Sequence, residues 1–251
     1  MTLISIITAT YNSAATLPRL ISSFRRAKIE GVEWIVVDGA SQDGTVELLK
    51  QASDIVDVFI SEPDSGIYGA WNKGLNLAKG KYVAFIGADD FISDQYFVEV
   101  ISAIDNEHNI IGVHIQFINN ERVEKSIHTT CWRTPWNYPV NLGFSHPGTL
   151  HASSLFNNGL FDTGYKIAGD RELLTRNAQL LRPKIHITKE PLLFFQLGGV
   201  SSDRKNILLS YKEILRLLYF SKQKTLAFYP EMLWISLKYL CTRLGLRKRV
   251  F

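Results

Sequence analysis

Four short apolar runs, each followed by an amphipathic segment of helix length, fill the first 105 residues. Leu3 to Thr8, Glu33 to Val37, Val56 to Ser61 and Tyr82 to Ile86 read as strands. Ala14 to Arg26, Thr45 to Ala52, Ile67 to Ala78 and Asp94 to Ile104 read as the helices between and after them. This alternation demands crossover connections, so it predicts βαβ units and a mainly parallel sheet covered by helices, half of a doubly wound α/β fold.

The rhythm breaks after residue 105. Ile110 to Ile118 and Val123 to Ile127 are placed to pair as antiparallel strands around Asn119 and Asn120. Residues 131–149 are rich in Trp, Pro and Gly without clear periodicity, which suits a variable pocket wall. A helix from Arg171 to Leu181, a strand near Ile185 to Ile187, and two C-terminal helices, Lys205 to Ser221 and Tyr229 to Leu244, complete the reading.

With 251 residues and 46% hydrophobic content the chain has enough material for a sizeable core. Cys131 and Cys241 are far apart and lack CxxC spacing, so neither a disulfide framework nor a zinc site is expected, and a reducing compartment is. The start MTLISIITATYN has no basic region or small-residue cleavage site and reads as a first core strand. No apolar run reaches the length of a membrane span. The net charge of +4 is unevenly spread: residues 1–200 hold 17 Lys/Arg against 21 Asp/Glu, whereas residues 201–251 hold 11 against 3. The basic tail predicts an anionic partner there, a membrane surface or nucleic acid.

Acidic residues stand where the runs end. Glu33 to Val37 leads into Asp38, Val56 to Ser61 into Glu62 and Asp64, and Tyr82 to Ile86, through Gly87 and Ala88, into Asp89 and Asp90. Open α/β sheets bind ligands at the carboxyl ends of their strands, so these acids are expected to line one crevice. Adjacent carboxylates at a buried strand end are costly without a cation, which makes Asp89 and Asp90 a metal-site candidate; a turn or helix cap is the structural alternative. Neither GxGxxG nor GxxxxGK[ST] occurs, so the sequence offers no glycine cradle or P-loop lysine for a diphosphate. A divalent cation on the acidic pair would neutralise one instead. Tyr11, in the polar exit Thr8-Ala9-Thr10-Tyr11-Asn12, has the ring to stack on a nucleobase, and Asp38 the acceptor for a base imide N–H; loop packing explains Tyr11 equally well. Asp43 reads as a cap for the helix beginning near Thr45.

The segments TATYN (8–12), EWIVVDGASQDGT (33–45), SEPDSGIYGAWNKGLNLAKGKYVAFIGADD (61–90) and GYKIAGDREL (164–173) together resemble the bacterial family 2 glycosyltransferases over roughly the first 200 residues. The resemblance implies the GT-A fold, a Rossmann-like mainly parallel sheet flanked by helices. It divides the chain into a nucleotide-sugar-binding half (1–105), an acceptor-binding and catalytic half (106–200) and a basic amphipathic helical extension (201–251). It implies nucleotide contacts from Thr8, Ala9, Tyr11, Asn12, Asp38, Asp64, Gly66, Lys73 and Asp89, with Asp38 on the uracil. Asp89 and Asp90 take the DxD position, Asp90 as the principal ligand of Mn2+ or Mg2+, and Asp170 takes the position of the catalytic base. Gly87 stands where many relatives have the first Asp of DxD, and Gly69 and Trp71 replace an Asp and a Met of the pattern. The QxxRW motif of processive synthases is absent, with Gln196 to Val200 in a comparable region, which favours transfer of one sugar per encounter.

The chemistry asks for the same parts. Inverting transfer needs one carboxylate to take the acceptor hydroxyl's proton as its oxygen attacks the anomeric carbon, whereas a retaining glycosidase needs two around the sugar. Asp170 opens a predicted helix, where it would serve as cap or base or both. His146 and Arg171 are candidates for contact with diphosphate or acceptor, a packed loop histidine being the structural alternative for His146 and the commoner one on general grounds. The expected activity is an inverting, metal-dependent transfer of one sugar from a nucleotide-sugar, UDP-linked by resemblance, to a glycan or undecaprenyl-linked acceptor of surface polysaccharide. The setting implied is the cytoplasmic face of the membrane, with a homo-oligomer allowed and no nucleic acid. The competing readings are a sugar nucleotidyltransferase, which would want a glycine-rich basic loop after the first strand, and an inactive nucleotide-binding or membrane-recruited module.

Overall fold

The first apolar run becomes β1 (Ile4–Thr10), and its neighbours follow the expected alternation: α1 (Leu17–Ala27), β2 (Val32–Asp38), α2 (Thr45–Gln51), β3 (Val58–Ser61), α3 (Ile67–Leu77) and β4 (Tyr82–Phe85). The structure is a computed structural model that describes residues 2–119, 122–127, 145–199, 204–220, 233, 235–237 and 239–240. A two-residue strand β5 (Phe91–Ile92) precedes α4 (Tyr96–Ala103), and then come β6 (Ile110–Gly112), β7 (Ile115–Asn119), β8 (Arg122–Ile127), β9 (Leu150–Ala152), α5 (Gly169–Arg176), β10 (Pro183–Ile185), β11 (Leu193–Gln196) and α6 (Arg204–Phe220).

The architecture is the expected mixed α/β one. Seven strands form the main sheet in the order β10-β6-β9-β4-β1-β2-β3, and four form a second in the order β5-β11-β7-β8. Neighbours in the first half are parallel, with Ile4 opposite both Val32 and Tyr82, while β9 runs antiparallel between β4 and β6. The chain starts at β1, moves outward to β3, and returns to the other side of β1 at β4. That reversal opens a crevice beyond the carboxyl ends of β1 and β4.

Buried on both faces, β1 and β2 use nearly continuous apolar runs, as parallel strands require. On one face Trp34 is fully buried, stacks on Phe24 of α1 at 4.1 Å and donates its indole N–H to Thr8 Oγ at 3.0 Å. On the other, Ile7, Ile35, Val37, Val83 and Phe85 pack with Tyr68, Phe161 and Leu173, and with Ile214, Leu217 and Leu218 of α6. The C-terminal helix is therefore part of the core that lies beneath α3 and α5.

Several elements differ from expectation for local reasons. The expected strand Ile110 to Ile118 is split at Val113 and His114: its first part is β6 in the main sheet and its second, β7, pairs antiparallel with β8 as expected, while β11 and β5 join that pair in a sheet whose pairings are too short to be visible as periodicity. The helix expected to reach Leu181 ends at Arg176, where the Asn177 amide turns onto Leu173 O at 3.0 Å; a separate 3-10 turn, Ala178–Leu180, follows. Most of the expected pocket wall, residues 131–144 of 131–149, and most of the second C-terminal helix lie outside the described residues.

Gly80 lies at the tightest backbone approach. A Cβ there would sit 2.5 Å from the Ser5 nitrogen and 2.7 Å from the Tyr82 carbonyl oxygen, neither of which a side-chain rotation moves aside. Gly80→Ala is expected to cost about 1–3 kcal/mol through the forced separation of β1 and β4. Thermal unfolding of the variant checks it, and an unchanged midpoint would contradict the tight approach.

Candidate active site

The exits of β1 and β2 are joined by hydrogen bonds that build one rim of the crevice. Asn12, in the left-handed region at φ 48°, donates its N–H to Ser41 Oγ at 2.8 Å and accepts the Gln42 N–H at 3.0 Å. The N-cap position of α2 is Gly44 rather than the expected Asp43, which lies one residue earlier, accepts the N–H of Ala14 at 2.9 Å and of Thr45 at 3.1 Å, and so ties the β1 loop to the start of α2. Tyr11, 68% exposed, projects from this rim.

Asp38 and Thr8 do not face the crevice. Asp38 is fully buried, and its two oxygens accept from Thr10 Oγ1, from the Ser41 N–H and hydroxyl, and from Ser61 Oγ. Burial opposes its charge, but these donors outweigh burial and hold the carboxyl below its usual range. With its lone pairs engaged inside the protein, it braces the three strand exits rather than offering an acceptor for a base. Thr8, also buried, is the acceptor for Trp34, and Ala9 packs against the second core cluster.

The carboxylate beside Tyr11 belongs to Asp64. A Cβ on Gly39 would meet Asp64 Oδ2 at 2.9 Å and Tyr11 Cδ2 at 3.3 Å, so the missing side chain keeps open the space between ring and carboxylate. Sequence reading passed over Gly39; its only signal was a glycine directly after an acidic strand end. The other oxygen of Asp64 accepts the Gly66 N–H at 2.7 Å, and Gly66 takes φ 108° at the start of α3, a conformation that favours glycine. Lys73 is held on Glu62 at 2.7 Å and on Pro63 O at 2.9 Å, against the wall rather than reaching free into the crevice.

The acidic pair follows β4 in a tight turn. Asp90 is 1% exposed, and its two oxygens accept the N–H groups of Gly87 at 3.1 Å and Gln196 at 2.9 Å. Asp89 is only partly buried, and the nearest cation, Arg19, bonds its backbone carbonyl at 2.7 Å rather than its carboxylate. Burial pushes both carboxyls up, Asp90 further because Asp89 stands beside it. Two glycines leave room at the oxygens: a Cβ on Gly87 would lie 2.8 Å from an oxygen of each aspartate, and one on Gly199 would lie 3.0 Å from Asp89 Oδ2. Asp90, expected as the principal ligand, gives one acceptor site of each oxygen to backbone donors that join the β4 turn to the end of β11 and keeps the other. Asp89 is the open carboxylate. Among the described residues no group of three His, Cys, Asp or Glu could cage a metal, so an ion here would draw its remaining ligands from water and a bound phosphate. An oxygen-binding divalent cation fits two crowded carboxylates whose oxygens make no ion pair among the described residues.

Arg19 and Gln196 complete the corner; Arg19 did not stand out in the sequence, and Gln196 did so only as the start of the region comparable to QxxRW. The Arg19 guanidinium donates to Gln196 Oε1 at 3.2 Å and lies 4.5 Å above the Phe91 ring, which stacks on Phe194 at 4.5 Å. These contacts join α1, β5 and β11 around the Asp89 turn.

Asp170 opens α5 and docks on the first turn of α3. Its Oδ1 accepts the Arg171 N–H at 2.8 Å and lies 3.4 Å from Tyr68 Oη, while Tyr68 donates to Ile167 O at 2.8 Å. Burial raises the Asp170 carboxyl, against the pull of the exposed, cationic Arg171. The loop before it is held by a residue the sequence did not single out. Glu213 of α6, buried at 6% exposure, accepts three successive backbone N–H groups, from Lys166 at 2.7 Å, Ile167 at 2.9 Å and Ala168 at 2.9 Å.

His146 does not point into the crevice. Its ring stacks on Trp71 and on Phe85, each at 5.2 Å, and lies 4.8 Å from His151; burial holds it neutral, pushed down to about 3. Its role here is to support Trp71. A side chain at Gly69 would meet Ser65 Oγ and require that hydroxyl to rotate away.

Glu213→Ala leaves three buried N–H groups without an acceptor, each costing about 1–3 kcal/mol before relaxation. The expected result is a lower thermal midpoint and increased amide exchange at residues 166–168, with Glu213→Gln intermediate. Unchanged exchange would remove Glu213 as the organiser of this loop.

The chain matches the family model for glycosyl transferase family 2 over residues 5–176. It is 35% identical over 107 residues to a PGL/p-HBAD biosynthesis glycosyltransferase of Mycobacterium bovis, a match covering 41% of this chain and 42% of that relative. An uncharacterized glycosyltransferase of Mycobacterium tuberculosis is 28% identical over 211 residues, 80% of this chain and 78% of its own. In fold, the chain is similar to S. aureus TarS residues 1–349 in complex with UDP-GlcNAc, with a TM-score of 0.69 at 17% identity over 97% of this chain and 73% of that one. It is also similar to the mannosyltransferase PcManGT of Pyrobaculum calidifontis in complex with GDP-Man and Mn2+, with a TM-score of 0.67 at 16% identity over 97% of this chain and 71% of that one. A family match over more than half the length, on a sheet whose crevice collects these acids, establishes that the chain belongs to glycosyl transferase family 2.

Proposed function

We propose that the chain transfers a single sugar, with inversion, from a UDP-sugar to a hydroxyl of a glycan or lipid-linked glycan acceptor in surface-polysaccharide assembly. The observation that supports it most is the open carboxylate of Asp89 at the exit of β4, in a chain whose Asp170 rests on α3, the helix following Asp64 and Gly66. The fold neighbours were solved with UDP-GlcNAc and with GDP-Man and Mn2+.

In this reading Tyr11 stacks on the base and Asp64, across the space left by Gly39, accepts its N–H groups. Asn12 and Gly66 shape the loops around the nucleotide, and Asp38 holds the strand ends beneath them. Asp89, placed by the backbone bonds of Asp90 and by Arg19, holds a divalent cation, Mn2+ or Mg2+, together with the donor's diphosphate. When bound, that ion supplies charge neutralisation for the departing diphosphate. Asp170 takes the proton of the acceptor hydroxyl as its oxygen attacks the anomeric carbon, and one carboxylate at that position suits inversion. Trp71, braced by His146 and Phe85 and packed edge-on to Tyr68, offers an aromatic wall next to Asp170.

Asp170→Asn is expected to retain donor binding and to reduce transfer by about three orders of magnitude or more, as loss of a general base does. Because burial raises the Asp170 carboxyl and only its ionised form accepts a proton, the wild-type rate should fall with decreasing pH before an ordinary exposed carboxylate would titrate. An active Asn variant, or a rate independent of pH down to the ordinary carboxylate range, would remove Asp170 as the base.

Calorimetry with UDP and GDP, with and without Mn2+, tests the donor site. The expected outcome is preference for UDP, tightened by Mn2+ in the wild type and insensitive to Mn2+ in Asp89→Asn. Equal dependence on Mn2+ in both proteins would place the ion elsewhere.

A further inference from the structure

Trp71 stands on α3 where the family pattern has a methionine, and four rings hold it in place. Its indole lies 4.6 Å from Phe85, 5.2 Å from His146, 5.3 Å from Phe161 and 5.4 Å from Tyr68. Even so, Trp71 is only partly buried. The N–H of the buried Trp34 is taken up by Thr8, whereas that of Trp71 donates to no acceptor among the described residues and is not shut away from solvent. Ile67, four residues earlier and therefore on the same side of the helix, is 41% exposed, so α3 leaves this side open toward its N-terminal end.

We propose that Trp71 is the platform for the transferred sugar: the uncovered part of its indole takes the C–H face of a hexopyranose ring, and its N–H meets a hydroxyl at the edge of that ring. The inference deepens the proposed reaction and rests on it. Position selects this part of the substrate. Phe85 is the last residue of β4, whose exit turn carries Asp89, and Tyr68 brings its hydroxyl to 3.4 Å from Asp170. In an in-line displacement the transferred ring has the departing diphosphate on one side and the incoming hydroxyl on the other. A side chain packed against both the end of β4 and the hydroxyl partner of Asp170 is in place for that ring. The nucleobase has its own ring in Tyr11, on the rim built by β1 and β2. A diphosphate is repelled by the negative face of an aromatic ring, whereas the C–H groups of a pyranose carry a slight positive charge and are attracted to it.

Such a platform also selects among sugars. An indole fixed by four neighbours loses little freedom on binding and adapts little to its partner. An axial hydroxyl on the stacked face would lift the sugar away, so epimers are distinguished by whether that face is unbroken. A methionine in the same place, unbranched and flexible, would adapt to either shape.

The test is calorimetry with UDP, UDP-glucose, UDP-galactose and UDP-N-acetylglucosamine in the presence of Mn2+, on the wild type and on Trp71→Met and Trp71→Phe, with thermal midpoints measured alongside. The expected result is that Trp71→Met leaves UDP affinity unchanged, weakens the best-bound sugar nucleotide about tenfold, the size of one aromatic contact, and narrows the spread among the three. Trp71→Phe keeps a ring without the N–H, so it should fall between the two, and it guards against a packing defect in the methionine variant. Equal losses for UDP and the sugar nucleotides would make Trp71 a packing residue and overturn the proposal, as would sugar-nucleotide affinities that respond to neither variant. A wild type that binds none of these nucleotides would instead overturn the functional reading, and this inference with it.

Discussion

Asp38 ties the exits of three strands to one point. It stands at the end of β2, takes a hydrogen bond from Thr10 at the end of β1 and another from Ser61 at the end of β3, and receives two more from Ser41 in the loop beyond. A buried carboxylate is stable only when its acceptors are filled, so this residue requires all three strand ends to be in register. The loops that carry Tyr11, Asn12, Gly39 and Asp64 therefore leave the sheet from a common, rigid edge. Without that edge the space between the Tyr11 ring and the Asp64 carboxylate would have no fixed width.

A second buried acid does the same for the other side of the crevice. Glu213 gathers three backbone N–H groups directly before α5, and Tyr68 bonds the carbonyl of Ile167 in the same loop. Asp90 is the third, joining the β4 turn to the end of β11 through Gly87 and Gln196. In each case a buried carboxylate bonded to distant backbone or side-chain donors stands near one with fewer partners: Asp64 beside Asp38, Asp170 beside the Glu213 loop, Asp89 beside Asp90. Acids that look alike in the sequence thus divide into those that hold the backbone and those left available for a ligand. Burial and hydrogen-bond partners make the division, and neither can be read from residue type.

The parts of the fold legible in advance were those written in periodicity. The four βα units of the first 105 residues appear within a few residues of their expected bounds, because apolar runs of strand length and amphipathic segments of helix length are local signals. The β7–β8 hairpin was legible for the same reason. Strands β5, β9 and β11 were not, because two to four residues carry no period, and their pairing partners are far away in sequence. Among the site residues, Asp89, Asp170, Asp64 and Tyr11 could be named from the ends of the runs and from the family pattern. Arg19, Gly39 and Glu213 could not, since an arginine or glutamate on an amphipathic helix looks like a solvated surface residue until its partner is placed.

The sequence by itself determined that parallel strands would expose a series of acids at one edge, that the familiar glycine and lysine phosphate apparatus is missing, and that positive charge is concentrated in the last fifty residues. Those properties depend on order along the chain. Tertiary structure alone decided which carboxylate of each pair is free, that His146 is enclosed with Trp71 and Phe85, and that α6 holds the loop before Asp170. The physical reason is that desolvation and hydrogen-bond satisfaction depend on neighbours distant in sequence, so a side chain's availability for chemistry is settled only when the chain has packed.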